Sequence, residues 1–403
     1  MRIEVLSTGT ELLRGRSVDT NLGAIARELE AVGGEVRYHA TCGDDLARLV
    51  EELKLAASRA DVCIMTGGLG PTEDDLTRAA VEEALHRPLR FRPALWRAIR
   101  SRFRRLGVRV AAINRRQAFL PGGAGALANA NGSAPGFRLE ADGLLLFALP
   151  GPPREALPMF RRFVVPELAR RLRKDWDLWE GKAIGLPEAD VDALVRRIVG
   201  KRATYGLTVS GGVVSISVRT GGPSRRKILR DLSMRVRRAL GRRFIDAPIE
   251  EVVARLLAKR CLTIAVAESC TGGLIAHRLT NVPGISASLL ETAVTYSNGS
   301  KVRRLSVPEE VLRKRGAVSP EVAAAMAEGM ARSSGADVGL ATTGIAGPAG
   351  GTREKPVGLV YTAVAFRGKT AVTERRFGGG RPDVKDRAAT HALNLARIVL
   401  QEG

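Results

Sequence analysis

The stretch Val266-Ala267-Glu268-Ser269-Cys270-Thr271-Gly272-Gly273 decides the reading of this 403-residue chain. The apolar run Leu262 to Ala267 predicts a buried strand, and Leu274, Ile275, Ala276 and Leu279 begin a helical stripe. Ser269 then sits at or just before a helix N-terminus, where unpaired backbone N–H groups and the helix dipole favour negative charge. Such a place holds a phosphate or an oxyanion; alternatively the serine only caps the helix. A second loop of this kind follows the strand Val338 to Ala341, in Thr342-Thr343-Gly344-Ile345-Ala346-Gly347-Pro348-Ala349-Gly350-Gly351. Its glycines permit left-handed turns and close approach of backbone to a ligand. Between the two loops, a strand Leu289 to Val294 leads into Thr295-Tyr296-Ser297-Asn298-Gly299-Ser300-Lys301. A lysine there, desolvated enough to be neutral part of the time, and a tyrosine are suited to take the proton of Ser269. Cys270 is the rival nucleophile, because a thiolate is intrinsically stronger; its other reading is a small buried hydrophobe.

The first half of the chain repeats the device. Ile3 to Ser7 predicts a strand, followed by Thr8-Gly9-Thr10-Glu11-Leu12-Leu13-Arg14-Gly15, and Asp19-Thr20-Asn21 opens an amphipathic helix through Ile25, Leu29 and Val32. Asp61 to Met65 predicts the next strand, ending in Thr66-Gly67-Gly68-Leu69-Gly70-Pro71-Thr72-Glu73-Asp74-Asp75-Leu76-Thr77. A glycine loop between strand and helix suits a phosphate. The two carboxylates that follow would repel one, so either a metal ion bridges them to it or they act as acid and base. Read as structure alone, Asp74 and Asp75 are first-turn acids of the helix containing Ala79, Ala80 and Val81.

At this length two or three domains are expected. No stretch near the N-terminus has the layout of a signal peptide, since Arg2 and Glu4 interrupt it, and no run reaches the roughly 18 to 20 apolar residues of a membrane span. A cytoplasmic protein is expected. Cys42, Cys63, Cys261 and Cys270 are too few for a disulfide scaffold, and three of them lie in or beside apolar runs, which predicts reduced, buried thiols. His39, His86, His277 and His391 stand far apart, with no pair at helical ligand spacing. The formal net charge of +22 is spread over Arg97 to Arg105, Arg161 to Lys174, Arg225 to Arg243 and Arg303 to Arg315, each read as an exposed helical face. Aromatic residues are only 4% of the chain, too few for base-stacking platforms, so the charge is read as solvation and as steering of small anions rather than as nucleic-acid binding.

The middle of the chain predicts a helix over Glu155 to Leu172, a short patch at Asp175-Trp176-Asp177-Leu178-Trp179, and a helix over Pro187 to Val199. Strands Ala203 to Val209 and Val213 to Val218, joined by Ser210-Gly211-Gly212, and a helix Ser224 to Leu240 follow. That α-β-β-α order is compatible with a small KH-like domain. Gly221-Gly222-Pro223-Ser224 is not the GXXG loop of RNA-binding KH domains. The segment therefore reads as a spacer or dimer contact, and a homodimer is the expected assembly.

These residues carry a resemblance. Ala267 to Gly273, Thr295-Tyr296-Ser297-Asn298 with Lys301, Gly316-Ala317-Val318-Ser319, Gly344-Ile345-Ala346-Gly347-Pro348 and Lys355-Pro356-Val357-Gly358 resemble, in order, the C-terminal domain of the competence/damage-inducible protein A family. Members with this domain are nicotinamide mononucleotide deamidases. The resemblance implies Ser269 as nucleophile, Lys301 as its base, Tyr296 in the same hydrogen-bonded set and Thr343 assisting. It implies Thr271, Gly272, Gly273 and Gly344 around the substrate, no cofactor, and a basic residue of the last helix on the substrate phosphate: Arg387, with Lys385 and Arg381 close by. Thr66 to Thr77 with Gly9 to Leu13 resembles the family's N-terminal domain, similar to molybdopterin-binding domains, with Gly43-Asp44-Asp45 and Pro150-Gly151-Pro152-Pro153 matching further positions. That domain implies ADP-ribose pyrophosphatase activity with a divalent metal ion. Asp44 and Asp75 would be catalytic, Asp74 and Asp75 would hold the metal, and Thr8, Glu11, Thr66, Gly67, Gly68 and Gly70 would bind substrate. Molybdopterin handling by this half, or a non-catalytic nucleotide-binding or competence-associated adaptor, are the alternatives. The expected fold is α/β: two α/β/α phosphate-binding domains, 1–170 and 249–403, joined by a small α+β KH-like connector, 171–248.

Overall fold

The computed structural model describes residues 1–402. The chain forms two compact units, one from Met1 to Asp175 and one from Trp176 onward.

The first unit is an α/β/α sandwich. Its six-stranded sheet runs in the order Val36–Cys42, Ile3–Thr8, Val62–Thr66, Leu144–Leu149, Gly136–Ala141, Gly125–Leu127. The first four strands are parallel and the last two antiparallel. Ile3–Thr8, Val62–Thr66 and Leu144–Leu149 are buried along their whole length because helices cover both faces. Leu46–Arg59 and Thr77–Ala84 pack on one face with Leu6, Met65 and Leu146. Thr20–Ala31 and the helical segment from Pro153 to Arg171 pack on the other with Ile3, Val5 and Phe147. The helix expected over Glu155 to Leu172 contains a wider π turn, Phe160–Val164. Pro158 and Pro166 flank it, and each lacks the N–H needed to continue an α ladder.

The second unit holds two sheets. The small one is antiparallel, in the order Thr204–Ser210, Val213–Gly221, Trp176–Ile184, Phe244–Ile245. Helices Glu188–Val199 and Arg225–Leu240 pack against one face. The patch at Asp175 to Trp179 is therefore the start of a nine-residue strand, and the connector runs β-α-β-β-α-β. Asp177, Glu180 and Lys182 hide this strand from a hydropathy reading. Gly181 lies under the stacked rings of Trp179 and Phe244, where a Cβ would come within 2.6 and 2.7 Å of ring atoms.

The larger sheet runs Leu289–Val294, Ile264–Glu268, Val338–Gly344, Leu359–Phe366, Lys369–Arg376, three parallel strands and then two antiparallel. Ile249–Lys259, Leu274–Thr280 and Arg381–Glu402 cover one face. Asn298–Leu305, Glu309–Arg315 and Pro320–Ser334 cover the other. Ile184 and Ile245 of the small sheet are buried in the same cluster as Ile249, Val253 and Ile264, so the two sheets share core. In both large sheets the first strand lies between the second and third. The order reverses at that point, and it opens a crevice at the carboxyl ends of the first and third strands.

Candidate functional site

In the second unit that crevice holds Ser269, which follows Ile264–Glu268, and Thr342–Gly344. The Ser269 N–H donates to the Thr342 carbonyl at 3.1 Å, and the Thr271 and Thr342 hydroxyls meet at 2.8 Å, fastening the two loops together. Lys301, from the helix Asn298–Leu305, reaches in from the face opposite Leu274–Thr280. Its amine is 3.1 Å from Ser269 Oγ, 2.8 Å from the Thr295 carbonyl and 3.1 Å from the Tyr296 carbonyl. The side chain is 1% exposed, and among the described residues no carboxylate is paired with it. Burial pulls its pKa below the ordinary lysine value, opposed only by the charge of a Cys270 thiolate. That thiolate is scarce: burial pushes the Cys270 thiol up to about 12, so at neutral pH the rival nucleophile is protonated and packed among Ala346, Val360 and Val384. All four cysteines are free; Cys261 is the exposed one.

Several expected roles are corrected by this geometry. The helix N-terminus is not open to an anion. Glu268, 1% exposed, turns back and accepts from the N–H groups of Gly273, Ile275 and Ala276 at 2.8 to 3.1 Å, so the chain supplies its own carboxylate there. Gly273 is thereby committed. Gly272 donates to the Ser269 carbonyl and the Thr271 hydroxyl is engaged with Thr342, so these residues brace the loop. Gly344 ends its strand against the Leu359 carbonyl. The N–H groups of Cys270 and Thr271 enter none of the loop's backbone hydrogen bonds and face the Cys270 sulfur instead. Tyr296 joins the Lys301 set through its carbonyl; its ring is 61% exposed and its hydroxyl accepts from Arg381. Thr343, one residue on from the Glu268–Thr342 register pair, donates its hydroxyl to the Ala317 carbonyl at 2.7 Å.

Arg387 does not face Ser269. Its guanidinium donates to the Gly378 carbonyl, and it lines a 570 Å³ cavity with Gly212 of the connector hairpin, Arg375 and His391. His391 is a packing residue there: Thr373 bonds its ring, Phe377 meets it edge-on, and burial lowers its pKa to about 4. The basic group over the serine loop is Lys385, whose amine lies 3.4 Å from where a Gly272 Cβ would stand. Arg381, one helical turn earlier, donates to the Gly347 carbonyl and the Tyr296 hydroxyl. Residues i and i+4 share a helix face, whereas 385 and 387 are about 200° apart.

In the first unit the crevice is a 380 Å³ cleft lined by Thr8, Glu11, Asp44, Gly67, Gly68, Gly70, Asp74, Asp75, Gln117, Ser133 and Glu155. A neighbouring 280 Å³ pocket takes in Thr8, Glu11, Asn21 and Thr66. Gly67 is left-handed, with φ +104°, and a Cβ there would strike Thr8. The N–H of Gly67 donates to the Leu149 carbonyl and that of Gly70 to Asp75 Oδ1, which leaves Gly68 as the one expected glycine whose N–H is uncommitted. Asp75 also accepts from the N–H and hydroxyl of Thr72 at 2.8 and 2.5 Å. Both its oxygens hold the loop, so the assignment of Asp75 to metal and acid/base work gives way to a bracing role. Nor are the two acids in a first helical turn, because the helix starts at Thr77. Thr66 points its hydroxyl at Ser7.

Asp44 accepts from the Thr10 N–H with one oxygen, and Asp74 is exposed. Among the described residues no three His, Cys, Asp or Glu side chains converge on a cation position. The donors present suit a hard cation shared between Asp44 or Asp74 and a ligand phosphate. Arg78 gives no sign of a role in the sequence. It is buried and donates to the Leu69 and Gly70 carbonyls at 2.7 and 2.6 Å, with its pKa lowered by burial to about 10.

Residues 246–400 match the CinA C-terminal domain, and residues 4–170 match the probable molybdopterin binding domain. A putative competence-damage inducible protein of Clostridium botulinum is 41% identical over 100% of both chains. One of Caldanaerobacter subterraneus is 40% identical over 100% of this chain and 99% of its own. A crystal structure of a competence/damage inducible protein from Agrobacterium tumefaciens is 42% identical over 39% of this chain and 97% of its own, with a TM-score of 0.37. No helix among the described residues is long and apolar enough to cross a membrane. With full-length relatives at this identity, the chain belongs to the competence/damage-inducible (CinA) protein family.

Proposed function

We propose that the second unit hydrolyses the carboxamide of nicotinamide mononucleotide to nicotinic acid mononucleotide and ammonia. The observation that carries this is the Lys301 amine, buried and 3.1 Å from Ser269 Oγ. As an ammonium it donates to Ser269, Thr295 and Tyr296. As a neutral amine it keeps two N–H bonds on the two carbonyls and turns its lone pair to the serine hydroxyl. Ser269 Oγ then attacks the carboxamide carbon while its proton passes to Lys301 Nζ. The oxyanion would draw on the N–H groups of Cys270 and Thr271, which otherwise face the Cys270 sulfur. Collapse expels the amino group, which takes the Lys301 proton and leaves as ammonia. Water, deprotonated by Lys301, hydrolyses the acyl-serine to the carboxylate and restores the hydroxyl. Ammonia release from nicotinamide mononucleotide by the purified chain is the test; a non-catalytic adaptor releases none.

Lys385 and Arg381 are assigned to the substrate phosphate. Lys385→Met is expected to raise KM for nicotinamide mononucleotide about tenfold or more with a smaller change in kcat, as loss of one charged hydrogen bond does. Arg387→Met is expected to leave KM within about twofold. The reverse pattern would return the phosphate to Arg387.

For the first unit we propose hydrolysis of the ADP-ribose pyrophosphate to AMP and ribose 5-phosphate. The support is the cleft that gathers Gly68, Asp44 and Asp74 at the strand switch point. A divalent cation held between the diphosphate and Asp44 or Asp74 would neutralise the diphosphate and polarise its phosphorus. The chain's own share is to present the Gly68 N–H, to hold the loop by Arg78 and Asp75, and to orient the carboxylates. A chelator is expected to stop ADP-ribose cleavage and leave ammonia release unchanged. Asp74→Asn is expected to copy the chelator without altering the melting temperature, and Asp75→Asn to lower that temperature by loosening the loop. Equal loss of both activities under chelation would overturn the division.

A further inference from the structure

Gln117 lines the first unit's cleft, and its amide is only half used. The side chain is 1% exposed. Its Nε2 donates to Ser133 Oγ at 3.3 Å, while Oε1 is buried with no partner. Both residues line the cleft that holds Gly68 and Asp74. Thr8 Oγ1, at the glycine loop, is the other buried oxygen of this cleft without a partner. A buried amide oxygen left unpaired costs free energy, and native folds keep few of them. Two unpaired buried oxygens on residues that line one cleft, the Gln117 amide and the Thr8 hydroxyl, mark places where a ligand completes the hydrogen bonding.

With the amide placed so that Nε2 meets Ser133, the pair at Gln117 has a polarity. Gln117 Oε1 can only accept. Ser133 Oγ already accepts from Gln117 Nε2, so its own O–H is free to donate. Side by side they offer one acceptor and one donor. The complement is a ring edge carrying an N–H donor next to a ring-nitrogen acceptor, such as the amino edge of adenine that an amide side chain reads in nucleic-acid recognition; a pterin presents the same donor-acceptor chemistry. Thr8 and Gly68 then lie at the phosphate end and Gln117 at the ring end. We infer that Gln117 and Ser133 form a ring-recognition subsite that selects a heteroaromatic ring by an N–H donor beside an acceptor nitrogen. The assignment rests on the reading of this cleft as a nucleotide site.

Calorimetric titration of the full-length chain tests it with three probes: ADP, the same diphosphate of purine riboside, which lacks only the 6-amino group, and neopterin. Wild type is expected to bind ADP about tenfold or more tighter than the deaminated analogue. Gln117→Met, which keeps the volume and removes the orphan oxygen, is expected to bind the two equally while retaining a cooperative melt. Should that variant not fold, Ser133→Ala, at a half-buried position, is the substitute and is also expected to narrow the preference. ADP binding with no preference for the amino group, or a preference unchanged in both variants, overturns the subsite and leaves the nucleotide reading standing. Neopterin binding that depends on Gln117, with no ADP binding, upholds the subsite and overturns the nucleotide reading. Binding of none of the three overturns both.

Discussion

Ser269→Ala is expected to lower ammonia release from nicotinamide mononucleotide by at least about a hundredfold, because no neighbouring group can replace the hydroxyl. Cys270→Ala is expected to keep most of the activity. The adjacent thiol is the only competitor in the loop, and burial pushes it up to about 12, which leaves almost no thiolate at neutral pH. The serine substitution removes one oxygen from a 9% exposed position and leaves the backbone bond from Ser269 to Thr342 intact. A melting temperature close to wild type should therefore accompany the loss. Full activity in Ser269→Ala would move the nucleophile elsewhere, with Cys270 first to be tested.

The second large effect concerns Lys301. Lys301→Met is expected to cost roughly a hundred- to ten-thousandfold in kcat/KM, the usual range for a general base. In wild type kcat/KM should rise with pH as the ammonium loses its proton and level off above the folded-state pKa, which burial places below the ordinary lysine value of 10.5. The sign for stability follows from the same shift. Between the folded pKa and the unfolded one the unfolded chain holds more protons, so stability attributable to Lys301 rises with pH across that window. Below the folded pKa the cost of burying the ammonium is constant. The methionine variant should lack both the activity and this rise. A pH profile with the same rising limb in Lys301→Met would assign the limb to another group.

Much of the site-bearing architecture is legible in the chain because it is local. Val62 to Met65 and Ile264 to Ala267 are uninterrupted apolar runs, which fits strands buried on both faces of a parallel sheet. The glycine loops stand directly after them. Trp176 to Ile184 was not legible, because Asp177, Glu180 and Lys182 break its apolar pattern, and the two neighbouring strands that hold it are supplied only by the folded sheet. The placement of the first strand between the second and third, common to the two large sheets, was equally hidden, since topology constrains burial and crevice position far more than residue identity.

Sequence by itself determined the fold class, the family, and the loops from which the two sites are built, through periodicity and glycine placement that act over a few residues. Tertiary structure decided which groups in those loops remain free. Asp74 and Asp75 are neighbours of the same chemistry, yet only Asp75 has both oxygens taken, by Gly70 and Thr72. Arg387 and Lys385 are both basic, yet the rotation of one helix turns Lys385 toward Gly272 and Arg387 toward Gly378. Glu268 fills a helix terminus that looks open in the sequence, and Gln117 keeps a buried oxygen unpaired. Hydrogen-bond commitment and desolvation are sums over groups brought together from distant parts of the chain, so folding alone fixes them.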